Sequence, residues 1–298
     1  MNETTPNSHS KPARATLLCP TDQSVLPTLS RQCPLPLLPA LGDTLLGHAI
    51  AFLAAQGVRE ICIVASDRTD QIRAAVGRGE RWGVKLEVTS SPRDPVAQDA
   101  STAPLVLLLD RLPQVPEQPL WTSYSAWFDA LLTLMPLVAR ERVGMREIMP
   151  NVFVGLRSQI AGDAKLIGPC WIGANANIGA RTVIGPNAII EDGVVLDESA
   201  EVVHSIIGPQ TYVGIMTEVR HSFAWGRNLT NLRNGSQIEI VDRFLLDDLA
   251  NSASRQSSGQ PGWMAKVLRR LRRAISAPFN GFTSLAMPVC IAAGMALK

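Results

Sequence analysis

The sequence is poor in the residues that usually build metal centres, disulfide frameworks and nucleic-acid interfaces. Its 298 residues include only four histidines and two tyrosines, 18% are charged, and the formal net charge is +2. A net charge so close to zero favours no polyanionic partner, so we expect no nucleic-acid binding. The five cysteines are odd in number and form no CxxC pair or other metal-ligand spacing, which predicts reduced thiols in a cytoplasmic protein. They are Cys19, Cys33, Cys62, Cys170 and Cys290.

The first residues also lack the apolar core of a signal peptide. Residues 1–14 are polar and contain proline, so the sequence predicts a disordered N-terminus and no secretory leader. The whole chain is 46% hydrophobic, and its 298 residues are enough for two modest domains.

What the sequence has instead is an apolar residue at every sixth position through its centre. A period of six fits neither the 3.6-residue turn of a helix nor the two-residue alternation of a flat strand. It is the pattern of hexapeptide repeats, and it predicts a left-handed parallel β-helix over residues 151–249. The nine residues in register are Val154, Ile160, Leu166, Ile172, Ile178, Ile184, Ile190, Leu196 and Val202.

The other positions of the hexad favour the same coil. A small or compact residue, such as Cys170, follows four positions after most of the apolar residues. The residue directly after an apolar one is often glycine, and we expect these glycines to adopt the unusual backbone angles of the corners. Three hexads make one triangular coil of about eighteen residues. The frame slips by one residue after Val202. Weaker, irregular coils are predicted around Val219, Phe223 and Leu229.

The chain before the repeats predicts a small α/β domain over residues 15–150. Helical periodicity covers Leu45–Gln56 and Thr69–Val76, and short apolar runs bounded by turn residues predict strands. Strands that alternate with helices indicate a parallel sheet. The predicted strands are Glu60–Ala65, Val84–Val88 and Leu105–Leu109.

Three short segments of this domain resemble the nucleotide-binding half of the sugar-1-phosphate nucleotidyltransferases. They are the proline-flanked Pro36–Pro39, the run Gln56–Ile61 and the run Trp82–Val84, in the order found in that family. The domain is similar to mannose-1-phosphate guanylyltransferases and glucose-1-phosphate thymidylyltransferases, several branches of which carry a solenoid after it. The resemblance covers roughly residues 15–248 with a gap. It implies a protein of bacterial sugar-nucleotide or exopolysaccharide synthesis, with a nucleotide sugar or a sugar phosphate as its ligand.

The residues that carry this family's chemistry are mostly replaced. Cys19–Pro27 has no glycine where the family has its phosphate-binding GxGTRL loop, and Leu35 replaces the family's phosphate-binding lysine. Asp110 ends an apolar strand where the family places its Mg²⁺-binding aspartate, and the alternative is that it only caps the strand. The main prediction is a degenerate, truncated nucleotidyltransferase-like protein, catalytically impaired, that acts by binding or scaffolding. An active sugar-1-phosphate nucleotidyltransferase is the first alternative, so the enzyme status stays open.

The solenoid offers a second alternative, a hexapeptide-repeat acyltransferase. Such enzymes work between the subunits of a trimer and use a histidine as the general base that deprotonates a hydroxyl or amino group. His204 and His221 are the two candidates, and the competing interpretation is that they are corner or surface residues. We expect a homo-oligomer, such as a trimer. The third alternative is a purely structural module. Arg220, Arg227 and Arg233 are candidates for a cationic strip that binds phosphate groups, and the equal alternative is that they form a solvated face.

The C-terminal residues predict contact with a membrane surface. Residues 250–262 have the composition of a flexible linker. Residues 263–275 combine an apolar helical face with five basic residues, as interfacial helices do, and residues 282–297 are apolar but too short to span a bilayer. The arrangement resembles the membrane-entry region of bacterial polyprenyl-phosphate sugar transferases. It predicts peripheral attachment of residues 263–298 to the inner face of the cell membrane, and the alternative is a helix packed on the protein itself. The apolar face consists of Val267, Leu268, Leu271 and Ile275.

Overall fold

The computed structural model of the chain describes residues 14–19, 26–92 and 105–250. The predictions of an N-terminal disordered segment, a flexible linker and a membrane-seeking tail lie outside these residues, as does most of the glycine-free loop. The described chain forms two compact units. One contains the residues up to Leu38 together with Asp43–Ala130, and the other contains Pro39–Gly42 and the chain from Leu131 onward. The division falls between Ala130 and Leu131, whereas the sequence predicted a boundary at residue 150.

The first part of the chain has the alternation of strands and helices that the sequence predicts. Four strands form a parallel sheet in the order β5-β4-β1-β6. In chain order the elements are β1 (Arg14–Cys19), α1 (Pro27–Gln32), β2 (Pro39–Ala40), β3 (Asp43–Thr44), α2 (Leu45–Ala55), β4 (Glu60–Ala65), α3 (Thr69–Val76), β5 (Lys85–Ser90), β6 (Val106–Leu108) and α4 (Tyr124–Glu141), with short 3-10 helices at Leu35–Leu37 and Glu80–Trp82.

Helix α2 shows how local sequence sets these elements. The hydroxyl of Thr44 accepts a hydrogen bond from the N–H of Gly47 at 3.0 Å, which caps the first turn. The helix ends at Ala55, and Gly57, two residues later, adopts a φ of 91°. Its apolar side chains pack with those of α3 and of alternate sheet residues, such as Ile61 and Ile63, in one buried cluster.

The second unit is built from short strands that form three sheets. The strands are β7 (Arg146–Met149), β8 (Val152–Val154), β9 (Gln159–Ile160), β10 (Lys165–Leu166), β11 (Cys170–Ile172), β12 (Asn177–Ile178), β13 (Val183–Ile184), β14 (Ala188–Ile190), β15 (Val195–Leu196), β16 (Glu201–Val203), β17 (Ser205–Ile207), β18 (Thr211–Val213), β19 (Glu218–Arg220), β20 (Ser222–Trp225), β21 (Asn228–Asn231), β22 (Gln237–Glu239) and β23 (Leu246–Asp248). Sheet I has the order β10-β13-β16-β19, sheet II β22-β21-β20-β17-β14-β11-β8-β7, and sheet III β23-β18-β15-β12-β9.

The register of these sheets is that of a three-sided parallel coil. Each strand from β8 onward pairs in parallel with the third strand that follows it, up to β20. Cys170 pairs with Ala188 eighteen residues on, whereas Ala188 pairs with Ser205 only seventeen residues on. The predicted frame slip therefore exists, and a second one follows, because Ile190 pairs with Ile207 and Ile207 with Ala224, each seventeen residues on. The left-handed sense of the coil stays a prediction.

The interior of the coil is filled by the residues that the hexad pattern marks. All nine apolar positions belong to, or pack against, one cluster together with the small residues between them. Val154 and Ile160, in the first coil, are its less buried members. The four described cysteines are free, and Cys170 lies inside the coil as predicted. Burial raises the pKa of the Cys19, Cys33 and Cys170 thiols to about 12, which makes them poor nucleophiles.

Two predictions about the end of the coil are wrong in detail. Ala224 rather than Phe223 belongs to the interior cluster, because Ala224 pairs with the interior residue Ile207 whereas Phe223 pairs with Ile206, which is not part of that cluster. Leu229 lies on β21, which runs antiparallel to β20 and so ends the series of parallel coils. The turn at Gly226, with a φ of 59°, reverses the chain at this point.

Gly185 adopts the predicted left-handed backbone, with a φ of 94°, but the other glycines that directly follow an apolar hexad residue have a different role. Gly173 and Gly179 do not adopt a left-handed backbone; a Cβ at either position would lie only 2.4 and 2.8 Å, respectively, from atoms of the following coil. Coils pack at the spacing of hydrogen-bonded strands, which leaves no room there for a side chain. The left-handed corner angles fall two residues later, on Asn175 and Arg181.

The outer faces of the coil differ in polarity. The outward-facing residues of sheet II are large and apolar, and they are buried although they do not belong to the interior cluster. The outward-facing residues of sheet I are mostly charged. The Arg142 guanidinium lies 5.7 Å from the centre of the Trp171 ring, over sheet II. Among the helices in the described ranges, none combines the length and the apolar character needed to cross a bilayer. The buried outer residues of sheet II are Phe153, Trp171, Ile189, Ile206 and Phe223.

Candidate active site

The structure brings the two predicted histidines together at one corner of the coil. His204 joins β16 to β17 and His221 joins β19 to β20, so they occupy the same position in successive coils. Their ring centroids lie 4.8 Å apart, with an angle of 47° between the planes. We call this pair and its polar neighbours the histidine corner.

The backbone at this corner explains why the two side chains project together. His204 and His221 have φ values of 51° and 47°, and Asn187 has 55° at the equivalent position of the preceding coil. A single residue in the left-handed region turns the chain between two strands, and Asn and His tolerate that region better than most residues. The N–H of His204 donates to the carbonyl of Pro186, and that of His221 donates to the carbonyl of Val203, so both residues are anchored to the coil below.

Polar neighbours constrain each imidazole. The side-chain amide nitrogen of Asn187 lies 3.2 Å from Nδ1 of His204. A guanidinium nitrogen of Arg233 donates to Nε2 of His221 at 2.9 Å. Because a guanidinium can only donate hydrogen bonds, Nε2 of His221 holds its lone pair toward Arg233, and Nδ1 carries the proton of the neutral ring.

The surroundings of His221 favour its neutral form. Desolvation, followed by the charges of Arg233, His204 and Arg220, lowers the pKa of His221 below its ordinary value. The imidazole is therefore unprotonated at neutral pH and has an Nε2 lone pair able to accept a proton.

The predicted cationic strip is largely neutralised. Arg220 pairs with Glu201 and Glu218 on sheet I, and Arg227 pairs with Glu239. These two arginines are held by carboxylates because sheet I and the β21–β22 hairpin place acidic residues directly beside them. Arg233, the third arginine of the predicted strip, hydrogen-bonds to His221.

Asp110 lies at the carboxyl end of β6 in the other unit, as the resemblance implies. Its carbonyl accepts from the N–H of Leu120, and its carboxylate lies 3.9 Å from Nε of Arg111. Over residues 14–19, 26–92 and 105–250, no group of three His, Cys, Asp or Glu side chains is placed to hold a metal ion. A Mg²⁺ ion at Asp110 stays a prediction, since these residues alone do not build a site for it.

A buried carboxylate that the sequence did not single out anchors a turn to the coil. Glu191 accepts hydrogen bonds from the N–H groups of Leu41 and Gly42 at 2.7 and 2.6 Å. Both turn residues have positive φ values, 53° and 79°, so their N–H groups converge on the carboxylate. Arg142 donates to the carbonyl of Leu41 and, at 3.0 Å, to the carboxylate of Asp192. We call this arrangement the Glu191 anchor.

The protonation of this anchor is unusual. Burial raises the pKa of Glu191 to about 8, with a contribution from Asp192, while the two N–H groups and Arg142 oppose the rise. The sequence held one signal for it. Glu191 follows Ile190 at the hexad position that glycine occupies after Ile172 and Ile178. Its much larger and charged side chain therefore needs space and hydrogen-bond partners that the other repeats do not provide.

Comparison with known proteins supports the acyltransferase alternative over the main prediction. No family model matches the chain. The UDP-3-O-acylglucosamine N-acyltransferase of Albidiferax ferrireducens is 28% identical over 109 residues, which cover 37% of this chain and 33% of that protein. The match therefore spans about a third of the length of the curated relative. It is a distant homology to an acyltransferase of the hexapeptide-repeat family, in agreement with the repeat and the parallel coil. The resemblance to nucleotidyltransferases has no such support.

Proposed function

We propose that this chain is a hexapeptide-repeat acyltransferase that transfers an acyl group to an amino or hydroxyl group of a sugar-type acceptor. The observation that carries the proposal is the histidine corner, in which a neutral imidazole keeps a lone pair pointed at a hydrogen-bond donor. The homology to UDP-3-O-acylglucosamine N-acyltransferase supports the same reaction class.

We assign the general base to His221 and a positioning role to His204. Arg233 donates to Nε2 of His221 at 2.9 Å, and an N–H or O–H group of the acceptor would take the same place as donor. His204, with its ring centroid 4.8 Å away and its Nδ1 beside Asn187, fixes one side of the His221 ring. The guanidinium of Arg233, once displaced from Nε2, stays close enough to stabilise negative charge on the reacting carbonyl oxygen.

The proton balance of this step is simple. Nε2 of His221 removes the proton from the acceptor's amino or hydroxyl group as its nitrogen or oxygen bonds to the acyl carbon. The carbonyl oxygen carries the negative charge in the tetrahedral intermediate. When the bond between the acyl carbon and the donor's leaving group breaks, the imidazolium returns the proton to that leaving group.

The pH dependence of acyl transfer tests this assignment. Arg233 lowers the pKa of His221, so Arg233→Gln should raise that pKa and move the acid limb of the pH–rate profile to higher pH. The sign follows because only the neutral imidazole acts as base. The measurement is kcat/KM against pH for the full chain and the variant, with Arg243→Gln as a control at an exposed arginine. An acid limb that stays in place in Arg233→Gln would contradict the assignment.

A second candidate function concerns the first unit and follows the nucleotidyltransferase resemblance. The parallel sheet and the position of Asp110 at the carboxyl end of β6 favour a nucleotide or nucleotide-sugar site used for binding or scaffolding. In this case nucleoside triphosphates or nucleotide sugars with Mg²⁺ should raise the Tm of the full chain saturably. Ligand at a hundred times its Kd adds about 2.7 kcal/mol of stability, which is several degrees. Asp110→Ala should abolish the shift, and no shift at millimolar ligand would exclude this candidate.

A further inference from the structure

The lone pair that the proposed base needs is already occupied in the structure. Nε2 of His221 accepts a hydrogen bond from the guanidinium of Arg233 at 2.9 Å. An imidazole nitrogen has a single lone pair, so an acceptor cannot donate its own proton there until the guanidinium leaves. Arg233 therefore covers the atom at which the reaction begins.

The turn between β21 and β22 fixes the backbone of Arg233 beside the histidine corner. The N–H of Leu232 donates to the carbonyl of His221 at 2.8 Å, and the side chain of Leu232 is buried. The side-chain oxygen of Asn231 accepts from the N–H of Arg233 at 2.8 Å. Arg233 itself is exposed, so its guanidinium contacts the imidazole from the solvent side. The guanidinium can therefore leave Nε2 while the turn keeps its shape.

Arg233 differs from the other arginines near this corner in what its charge faces. Arg220 pairs with Glu201 and Glu218, and Arg227 pairs with Glu239. In the parts of the chain that the structure describes, no carboxylate forms an ion pair with Arg233, and its guanidinium donates to an imidazole. A guanidinium that is not neutralised by a carboxylate keeps its charge for an incoming anion.

A phosphoryl group is a stronger partner for this guanidinium than His221 is. Phosphate carries the opposite charge and accepts two parallel N–H···O bonds from arginine, whereas a neutral imidazole accepts one. Desolvation, followed by the charges of Arg233, His204 and Arg220, lowers the pKa of His221. Moving the Arg233 charge onto a phosphate therefore raises that pKa. One movement both uncovers Nε2 and makes it a better base.

We propose that Arg233 is an autoinhibitory contact, which makes acyl transfer at His221 conditional on a phosphoryl group carried by the acyl acceptor or the acyl donor. The phosphoryl group binds the guanidinium and draws it off Nε2, and only hydrogen bonds change in this step. A cationic strip would only hold phosphate, whereas here one arginine couples phosphate binding to the availability of the base. The inference rests on the function proposed above.

The first test follows the imidazole of His221 by NMR in the full chain and needs no turnover. Inorganic pyrophosphate, added at constant ionic strength, should raise the pKa of His221 in the wild-type chain. Arg233→Gln should start with a higher pKa and show no response. Arg227→Gln is the matched control and should respond as the wild type does, because the charge of Arg227 is held by Glu239. Equal Tm values would establish that both variants fold.

Two results of this titration would overturn the proposal. One is a pKa of His221 that stays constant in the wild-type chain up to saturating pyrophosphate. The other is an equal response in the wild type and in Arg233→Gln. The spectrum of His221→Ala assigns the signal among the four histidines of the chain.

The second test measures acyl transfer between substrates that carry no phosphate, a free amino sugar and an acyl thioester of N-acetylcysteamine. Pyrophosphate should raise kcat for this pair by about tenfold in the wild-type chain, since only the fraction of molecules with an uncovered Nε2 reacts. The response should be absent in Arg233→Gln. An arginine that only binds substrate phosphate would give no stimulation or an inhibition, and either result would contradict the proposal.

The carrier of the phosphoryl group follows from the same assay. Either the 1-phosphate of the amino sugar or an acyl-coenzyme A should make the added pyrophosphate unnecessary, and that substrate carries the releasing group. If pyrophosphate shifts the pKa of His221 but no substrate is acylated, the proposed reaction fails and the coupling of the anion to the imidazole stands. If acylation occurs at the same rate with and without phosphate, the reaction stands and the autoinhibitory contact is excluded.

Discussion

Replacing His221 by alanine is expected to lower the rate of acyl transfer by about 10²- to 10⁴-fold, the usual contribution of a positioned general base. The loss should appear in kcat and leave acceptor binding largely intact, since the imidazole acts on a proton that moves only in the reaction. The measurement is steady-state kinetics with a thioester acyl donor and an amino-sugar nucleotide acceptor. A rise in KM with kcat unchanged, or no change in either constant, would contradict the role of His221.

His204→Ala separates the general base from its neighbour. Removing His204 takes away one of the influences that lower the pKa of His221, so the acid limb of the rate profile should move to higher pH while activity persists. His204→Asn is the conservative variant, because asparagine already occupies the equivalent corner at position 187 with a φ of 55°. It should keep the corner folded and restore most of the stability lost in His204→Ala.

Glu191→Ala is expected to destabilise the protein by about 2–5 kcal/mol, the second large effect. The substitution leaves the N–H groups of Leu41 and Gly42 without their acceptor in a buried place, and each orphaned group costs about 1–3 kcal/mol. The measurement is the free energy of unfolding from denaturant titration at fixed pH. Glu198→Ala provides the control, because this carboxylate is exposed and pairs with Arg181 at the surface. Equal losses in the two variants would contradict the Glu191 anchor.

The same anchor predicts a pH dependence with a definite sign. Burial raises the pKa of Glu191 from 4.5 to about 8, so the folded protein binds a proton that the unfolded chain releases between these values. The stabilisation that this proton brings is complete below the unfolded pKa and is lost as pH rises through the folded pKa. Glu191→Gln cannot titrate. Its stability relative to the wild type should therefore improve between about pH 5 and about pH 9, and a constant difference would contradict the raised pKa.

The repeat unit was predictable from the sequence because its cause is local. Each hexad places one apolar residue inside the coil, as Ile172 and Ile190 show, and every following coil requires an apolar residue at the equivalent position. The strand pairs follow directly from the period, including the shorter step from Ala188 to Ser205. Helix α2 and strand β4 were similarly predicted from local patterns, the first from its helical periodicity and the second from a short apolar run.

The features that were not predictable depend on residues far apart in the chain. The Glu191 anchor joins a carboxylate to a turn about 150 positions earlier in the chain, and no local sequence pattern predicts such a hydrogen bond. The pairing of Arg220 with Glu201 depends on the register of two coils, which decides whether a cation faces a ligand or a carboxylate. His204 and His221 were identified as candidates by residue type alone. They meet because this coil has seventeen residues, which is also their separation in the sequence, so that they fall at the same corner.

Acyl transfer by the wild-type chain is the most direct test of the proposed function. The full chain is mixed with a thioester acyl donor and a UDP-linked amino sugar, and the acceptor is examined by mass spectrometry with the His221→Ala variant in parallel. We expect the acceptor to gain the mass of the acyl group less one hydrogen with the wild-type chain, and at a rate lower by about 10²-fold or more with the variant. Acylation at equal rates by both proteins, or none by the wild-type chain across donor lengths and acceptor sugars, would contradict the proposed function.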